Sequence, residues 1–362
     1  MDFARTEAAQ DLSDLVGTIT TAVCTPEHQR SLDGLAQRFD TALWRKLIDA
    51  DIVSAAAPES AGGGGFGVLE QTAILTALGR QLAAVPYLDS VMLGAGGLAR
   101  FGTALEWART AAAGEKVLTI AVDGEVGSPP VQAVPSEQGF RLTGTRTQVP
   151  FGPVADAFLV PAENDSSAVV FLVMADDPGV AVTPLQTTGL TSSGELKLTG
   201  VAVDPDRVVG GVEVLDWLNT RRAVGLAAYQ LGVLERALEL TAEYARTREQ
   251  FDRPIGSFQA VAQRLADGYI DVKGLRLTLQ QASWRLSENL QADSEVATAA
   301  FWAAEAGHRV AHTTVHVHGG VGIDVDHPVH RYFIAAKQTE FALGGASAAL
   351  RVIGRGLADT PV

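Results

Sequence analysis

Two stretches of this 362-residue chain place side chains and glycines where they could hold a small anionic ligand. The first is Tyr244-Ala-Arg-Thr-Arg-Glu-Gln-Phe-Asp-Arg-Pro-Ile-Gly-Ser-Phe-Gln259. It predicts a helix that carries Arg246 and Arg248 and ends near Phe251, a break at Pro254 and Gly256, and a new helix from Phe258-Gln259. Guanidinium groups match phosphate and carboxylate oxygens, yet a basic helix end before a Pro/Gly turn also arises without any ligand, because cations favour helix C-termini. The second stretch is Val315-His-Val-His-Gly-Gly-Val-Gly-Ile323. Glycines after a helix let backbone approach a ligand, and freed amides can meet phosphate oxygens. A helix stop explains the same glycines equally well.

Other candidates are weaker. Six of the seven histidines are His308, His312, His316, His318, His327 and His330. The first three are four residues apart, so a helix aligns them on one face, where neutral imidazoles could ligate a transition metal. No HExxH pattern accompanies them, and helix packing is the expected role, with no metal site. The run Pro58-Glu-Ser-Ala-Gly-Gly-Gly-Gly-Phe-Gly67 could cradle phosphate, but no lysine follows it as in a P-loop, and it reads as a connector. The single cysteine, Cys24, excludes an internal disulfide framework and a Cys-rich metal site and fits a reducing cytoplasm.

These candidates sit on elements that the hydrophobic periodicity defines. Leu12, Leu15, Val16, Ile19 and Val23 recur at helical spacing, as do Phe39, Leu43, Leu47 and Ile48, and a further helix is expected from Val68 to about Ala84. The texture changes near Lys116. Six short runs, Val117–Val122, Phe140–Thr145, Ala157–Ala162, Ala168–Met174, Val180–Leu185 and Glu195–Val203, are separated by turn residues, which predicts an antiparallel barrel or sandwich. From Val212 the helical period returns through Leu226, Leu231, Leu234 and Leu238, then Ile270, Val272, Leu275, Leu277 and Leu279, then Trp302 to Val317, as in a helical bundle. The expected organisation is α+β in three domains: residues 1–115 helical, 116–210 an antiparallel β domain, 211–362 a four-helix bundle.

Composition narrows the partners. The chain carries 42 acidic and 28 basic residues, a net charge of −14, with 47% hydrophobic and 19% charged residues. Such a balance argues against a nucleic-acid face and against docking on anionic lipid. No apolar run reaches the roughly 18 residues of a membrane span, and the start MDFARTEAAQDL has no secretory signal character. A cytoplasmic protein is expected.

In order along the chain, Trp44, Pro58-Glu59, Gly62-Gly63, Leu78-Gly79-Arg80, the central strands, Arg248-x-x-Phe251, Phe258-Gln259, His318-Gly-Gly-Val-Gly322 and His330-Arg-Tyr-Phe333 resemble the acyl-CoA dehydrogenase family. The resemblance covers nearly the whole chain. It implies an N-terminal helical domain, a central β domain and a C-terminal four-helix bundle. It also implies FAD as cofactor, oxidation of an acyl-CoA thioester to the trans-2-enoyl-CoA, and a transfer flavoprotein as electron acceptor. On the family pattern, Arg248, Phe251, Gln259, Gly319 and Gly320 would hold the adenine and pyrophosphate end of FAD bound to a neighbouring subunit. His316 stands where the family has a glutamine and could still donate a hydrogen bond.

The chain departs from that pattern where the chemistry would occur. The family's catalytic glutamate lies in a turn matched here by Leu343-Gly-Gly-Ala-Ser347, so Gly344 stands in its place and offers no proton acceptor. The alternative helix position, near Arg221-Arg222, is not acidic either, and Glu340 lies one turn away, where it would point elsewhere. The aromatic and hydroxyl platform positions hold Gln148 and Pro150, and the loop Val122–Ser128 is a poor match. Intact contacts to a neighbour's FAD beside a missing base resemble one chain of a two-plus-two heterotetramer. The resemblance is to the glutamate-lacking subunit of actinobacterial steroid acyl-CoA dehydrogenases that oxidise cholesterol side-chain thioesters. The alternatives are a homotetrameric dehydrogenase with a displaced base and a non-catalytic acyl-CoA-binding protein.

Overall fold

The computed structural model describes residues 4–35, 37–122, 129–165 and 167–359. The N-terminal third is helical: α1 (Glu7–Val23), α2 (Pro26–Asp33), α3 (Thr41–Asp49), the single turn α4 (Ile52–Ala55), α5 (Val68–Arg80), a wide π-helical stretch Tyr87–Ala95, α6 (Gly96–Phe101) and α7 (Leu105–Ala112). Thr6 caps α1 by accepting from the Ala9 N–H at 3.0 Å, and Asp40 caps α3 through Leu43 at 2.9 Å. α5 stops at Arg80 rather than near Ala84, because Leu82 takes a left-handed conformation (φ 53°).

The strands are β1 (Leu118–Ile120), β2 (Val131–Ser136), β3 (Gly139–Pro150), β4 (Ala157–Asn164), β5 (Ser167–Met174), β6 (Val180–Pro184), β7 (Ser193–Val203) and β8 (Val208–Gly210). They form one sheet in the order β6-β7-β3-β2-β4-β5-β8, with β1 also on β4. The expectation of a purely antiparallel β domain is corrected here: β1 and β2 both pair with β4 in parallel. The reason lies in the register. β1 covers Ala157–Leu159 and β2 covers Ala162–Glu163, so both lie along one edge of β4 in succession. β2 escaped the sequence reading because it contains Pro135; that residue pairs only with Phe140 of β3, past the point where β4 contact ends, so its missing N–H is not needed. Val131, Leu142, Phe158, Phe171, Leu196 and Val201 fill the sheet's core.

The C-terminal part comprises α8 (Val212–Thr247), the short ribbon β9 (Glu249–Gln250) and β10 (Arg253–Pro254), α9 (Gln259–Ser287), α10 (Asp293–His318), α11 (Val329–Ala342) and α12 (Gly345–Asp359). α10 packs on α9, α11 and α12. Its Gly307 makes room for the buried Gln230 amide, which donates to the carbonyls of Ala303 (3.2 Å) and Ala336 (3.0 Å) and so ties α8, α10 and α11 together. Val272, Leu275 and Leu279 of α9 are buried as the periodicity demands, but Ile270 and Leu277 of the same expected stripe are exposed.

Two compact units result. One comprises residues 1–26, 68–83 and 223–362; the other comprises 27–67 and 84–222. In the first, α5 meets α8 at glycines: a Cβ on Gly79 would lie 2.1 Å from the Tyr229 carbonyl oxygen, and one on Gly232 would lie 1.9 Å from that of Thr76. Arg80 there bonds Glu235 (2.9 Å) and Glu239 (2.8 Å). In the second, the four-glycine run is a connector whose amides are consumed internally. Gly63, Gly64 and Gly65 donate to Pro58, Ser54 and Ala57, each at 3.0 Å, which leaves those N–H groups unavailable to a phosphate. No helix among the described residues is long and apolar enough to cross a membrane.

Candidate functional site

α8 ends at Thr247, earlier than the Phe251 expected, because residues 249–254 fold back as a two-stranded ribbon. The Arg248 N–H donates to the Tyr244 carbonyl at 2.8 Å, and the Arg248 carbonyl accepts from Ile255 at 2.8 Å, which pins the ribbon's base. Gln250 faces Arg253, leaving Phe251 and Asp252 as the two turn residues. Both are left-handed, with φ of 56° and 59°. Tight hairpins of this kind ordinarily use Asn-Gly or Gly-Gly, since side chains resist positive φ. Here the turn lifts Phe251 to 88% exposure, its ring edge-on to Phe258 at 6.1 Å, and the Arg253 guanidinium lies over Phe258 at 4.1 Å. Gly256 is obligatory, because a Cβ there would lie 2.9 Å from the Ala245 carbonyl oxygen. Gln259 is the exposed first residue of α9. Among the described residues no carboxylate pairs with the exposed Arg248 guanidinium.

The second stretch lies at the end of α10. His316 is exposed, and Gly319 is left-handed (φ 64°), its N–H returning to the carbonyls of His316 and Val315. Cβ atoms on Gly319 or Gly320 would meet nothing within 4 Å, so this backbone is open to an approaching group. Gly322, by contrast, is needed for packing, since a Cβ would fall 2.8 Å from the Val315 carbonyl oxygen.

A buried contact joins the two stretches. The His318 ring, 4% exposed, stacks on Tyr244 with centroids 4.4 Å apart and planes at 22°. His318 Nδ1–H donates to the Thr314 carbonyl at 2.8 Å. Burial pushes the His318 pKa below the ordinary histidine range; the Thr314 carbonyl opposes that shift and His327 adds to it. His318 and Tyr244 carried no separate role in the sequence reading. No spacing in the sequence signals their contact, which joins two separate helices.

The positions where a base would be expected are different. Leu343 and Gly344 separate α11 from α12, which begins at Gly345, and both glycines are left-handed, φ 77° and 73°. A Cβ on Gly344 would lie 3.1 Å from that of Ala348. Glu340 is already engaged, 2.6 Å from Lys337 Nζ and 3.3 Å from His308 Nδ1. In the other unit, Arg221 lies over the Trp217 ring at 5.6 Å, and burial, with repulsion from Arg100, lowers its pKa. Gln148 is left-handed (φ 56°) within a register shift against β7, and Phe151 (φ 52°) turns inward onto Phe39 at 6.0 Å. The expected loop Val122–Ser128 lies, past Val122, outside the described residues.

His308, His312 and His316 do share one exposed face, with the first two rings 4.5 Å apart. Lys337 Nζ, 3.1 Å from His308 Nδ1, puts a cation beside them, and no metal-binding group of three ligands occurs among the described residues. A cavity of about 390 Å³, lined by Val122, Pro130, Arg146, Glu163, Leu215 and Asn219 among others, contains none of the predicted site residues.

Comparison with known proteins decides the family. Residues 6–110 match the N-terminal domain of acyl-CoA dehydrogenases, and residues 210–358 match the C-terminal domain. The chain is 69% identical to acyl-CoA dehydrogenase FadE27 of Mycobacterium tuberculosis, over all of both chains. It belongs to the acyl-CoA dehydrogenase family. Among solved structures, one chain of the ChsE4-ChsE5 complex from Mycobacterium tuberculosis superposes with a TM-score of 0.98 at 70% identity, covering 100% of each chain. One from the Tcur3481-Tcur3483 steroid ACAD G363A variant gives 0.92 at 38% identity, covering 98% of each.

Acyl-CoA dehydrogenases use FAD, and the surface described above suits part of it. An unpaired arginine and an exposed amide side chain supply the positive charge and donors that a pyrophosphate needs, and two open glycines leave room for it to approach the backbone. An exposed aromatic ring offers a face for a heterocycle.

Proposed function

We propose that this chain is the non-basic subunit of a heteromeric, FAD-dependent acyl-CoA dehydrogenase that introduces a trans-2 double bond into a steroid side-chain CoA thioester. The observation that carries this reading is a division of exposure. Arg248, Phe251, Gln259, His316, Gly319 and Gly320 all face outward, as groups that reach a neighbour's cofactor must, whereas Gly344 has no side chain and Glu340 is held by Lys337. The likeness to ChsE4-ChsE5, a complex of two chains, and to a steroid ACAD supports a second subunit and a steroid substrate.

On this reading Arg248 holds the pyrophosphate beside the open Gly319-Gly320 backbone, Phe251 covers the adenine, and Gln259 and His316 add polar contacts. FAD, when bound, accepts the two electrons removed from the substrate. The α-proton needs a carboxylate in a water-poor site; this chain has none at Gly344, so the partner supplies it. Segments 1–115, 116–210 and 211–362 serve as the three domains, the assembly is two-plus-two and cytoplasmic, and a transfer flavoprotein takes the electrons.

The test is to purify the chain alone and with a glutamate-bearing partner, recording flavin absorbance and steroid-acyl-CoA oxidation. The complex is expected to be yellow and active and the chain alone colourless and inactive. Yellow, active protein from this chain alone would sink the proposal and favour a displaced base.

A further inference from the structure

Resting on that reading, we infer that Tyr244 and His318 are positioning residues that hold the Arg248 turn and the Gly319-Gly320 turn in register as one FAD-gripping surface. Each ring is bonded close to what it positions. Tyr244 accepts the Arg248 N–H through its carbonyl, and Gly319 directly follows His318. No hydrogen bond among the described residues joins the ribbon to the glycine turn, so their spacing depends on how the ends of α8 and α10 meet.

Those ends meet in two layers. One turn inside, Thr241 Oγ1 donates to Thr314 Oγ1 at 3.2 Å. At the tip, the Tyr244–His318 stack closes the junction. Thr314 serves both layers, because its carbonyl fixes the His318 ring. The His327 ring, tilted 53° to His318, stands 5.6 Å from it, and it is itself pinned by Val329 N–H to Nδ1 (3.3 Å) and by His330 Nδ1–H to its carbonyl (2.6 Å). The three rings together tie the α8 end, the α10 end and the chain after the glycines. The near-parallel Tyr244–His318 pair resists twisting about its contact, which fixes orientation as well as distance.

The test uses the complete complex stripped of FAD, titrated with FAD and followed by flavin fluorescence, with the melting temperature of each apo-complex measured alongside. Tyr244→Leu is expected to raise the Kd for FAD roughly tenfold, and Tyr244→Phe, which keeps the ring, to restore it to within about twofold, with apo-complex melting little changed. His318→Gln keeps a donor for Thr314 without the ring and is expected to match Tyr244→Leu, so it serves if the leucine variant does not fold. If Arg248→Ala weakens FAD binding and Tyr244→Leu and His318→Gln do not, the positioning role is overturned and the site stands. If none of these changes weakens FAD, the site itself is wrong. If Tyr244→Phe fails to rescue, or melting falls in step with affinity, the stack is structural only and the inference fails.

Discussion

Two turns of this chain rest on the same uncommon backbone and differ in what they carry. At Phe251–Asp252 and at Gly344–Gly345, consecutive residues are left-handed, with φ between 56° and 77°. The first turn keeps side chains there, although a left-handed L-residue costs about 1–2 kcal/mol. The second consists of glycines, for which the same backbone costs little. Strain persists where the surrounding structure enforces it, and it clusters at sites that use the side chain concerned. The ribbon enforces it at Phe251, which stands out into solvent beside an unpaired arginine. At Gly344 nothing is presented. On the proposed reading, the first turn belongs to the outward-reaching half of a flavoenzyme site, and the second stands where the half that moves a proton would be.

The largest effect is expected on the retained side. Arg248→Ala in the complex should weaken FAD binding roughly ten- to a hundredfold, because a hydrogen bond to a charged group is worth about 1.5–3 kcal/mol. The flavin-to-protein absorbance ratio after gel filtration reads it, and unchanged occupancy would break the contrast. On the other side, Gly344→Glu should create no steroid-acyl-CoA oxidation in the chain alone. The new side chain meets left-handed backbone and the Ala348 methyl at 3.1 Å, so stability should drop by about 1–2 kcal/mol. Denaturant unfolding measures the loss, and any turnover above background would show that only the carboxylate was missing.

The contrast was partly legible in the sequence. Arg248, Phe251, Gln259, His316 and the glycine pair stood out as ordered motifs, and Gly344 stood out as an absence. The long helices were legible because their periodicity extends over many turns. The sheet was less so: β1 shows as a run of its own, β2 is hidden by Pro135, and only the register on β4 shows that the two follow one another along the same strand. The Phe251–Asp252 turn was read as the end of a helix, since neither residue signals positive φ and only the Gln250–Arg253 pairing reveals the hairpin. The Tyr244–His318 stack lay beyond reach because it joins residues 74 positions apart through tertiary packing.

A smaller effect should follow pH. His318 and His327 both have pKa values pushed by burial below the ordinary 6.5. Below 6.5 the unfolded chain therefore binds more protons at these rings than the folded one. Their contribution to stability is complete above that value and is lost as pH falls through the depressed range. The melting temperature of the complex should accordingly decline between pH 7 and pH 5, and less steeply in His318→Gln. Equal slopes in the two proteins would remove His318 from the account.

The smallest effect refines the contrast within a single turn. If Phe251 is kept left-handed for its ring, its neighbour Asp252 need not be, since no hydrogen bond or ion pair of its side chain occurs among the described residues. Asp252→Gly should relieve left-handed strain, offset in part by the greater freedom of glycine in the unfolded chain, for a net gain of about 0.5–1 kcal/mol. FAD affinity should stay within about twofold, because the group removed is a carboxylate near a pyrophosphate and its loss can only lessen repulsion. Phe251→Gly would relieve the same kind of strain while losing the ring, so it should stabilise the fold and weaken FAD together. Opposite signs for stability and binding at Phe251, and no such opposition at Asp252, would identify the aromatic ring as the reason the turn tolerates its backbone. A parallel response at both residues would mean that the hairpin is held for packing, and the comparison with Gly344–Gly345 would then concern backbone alone.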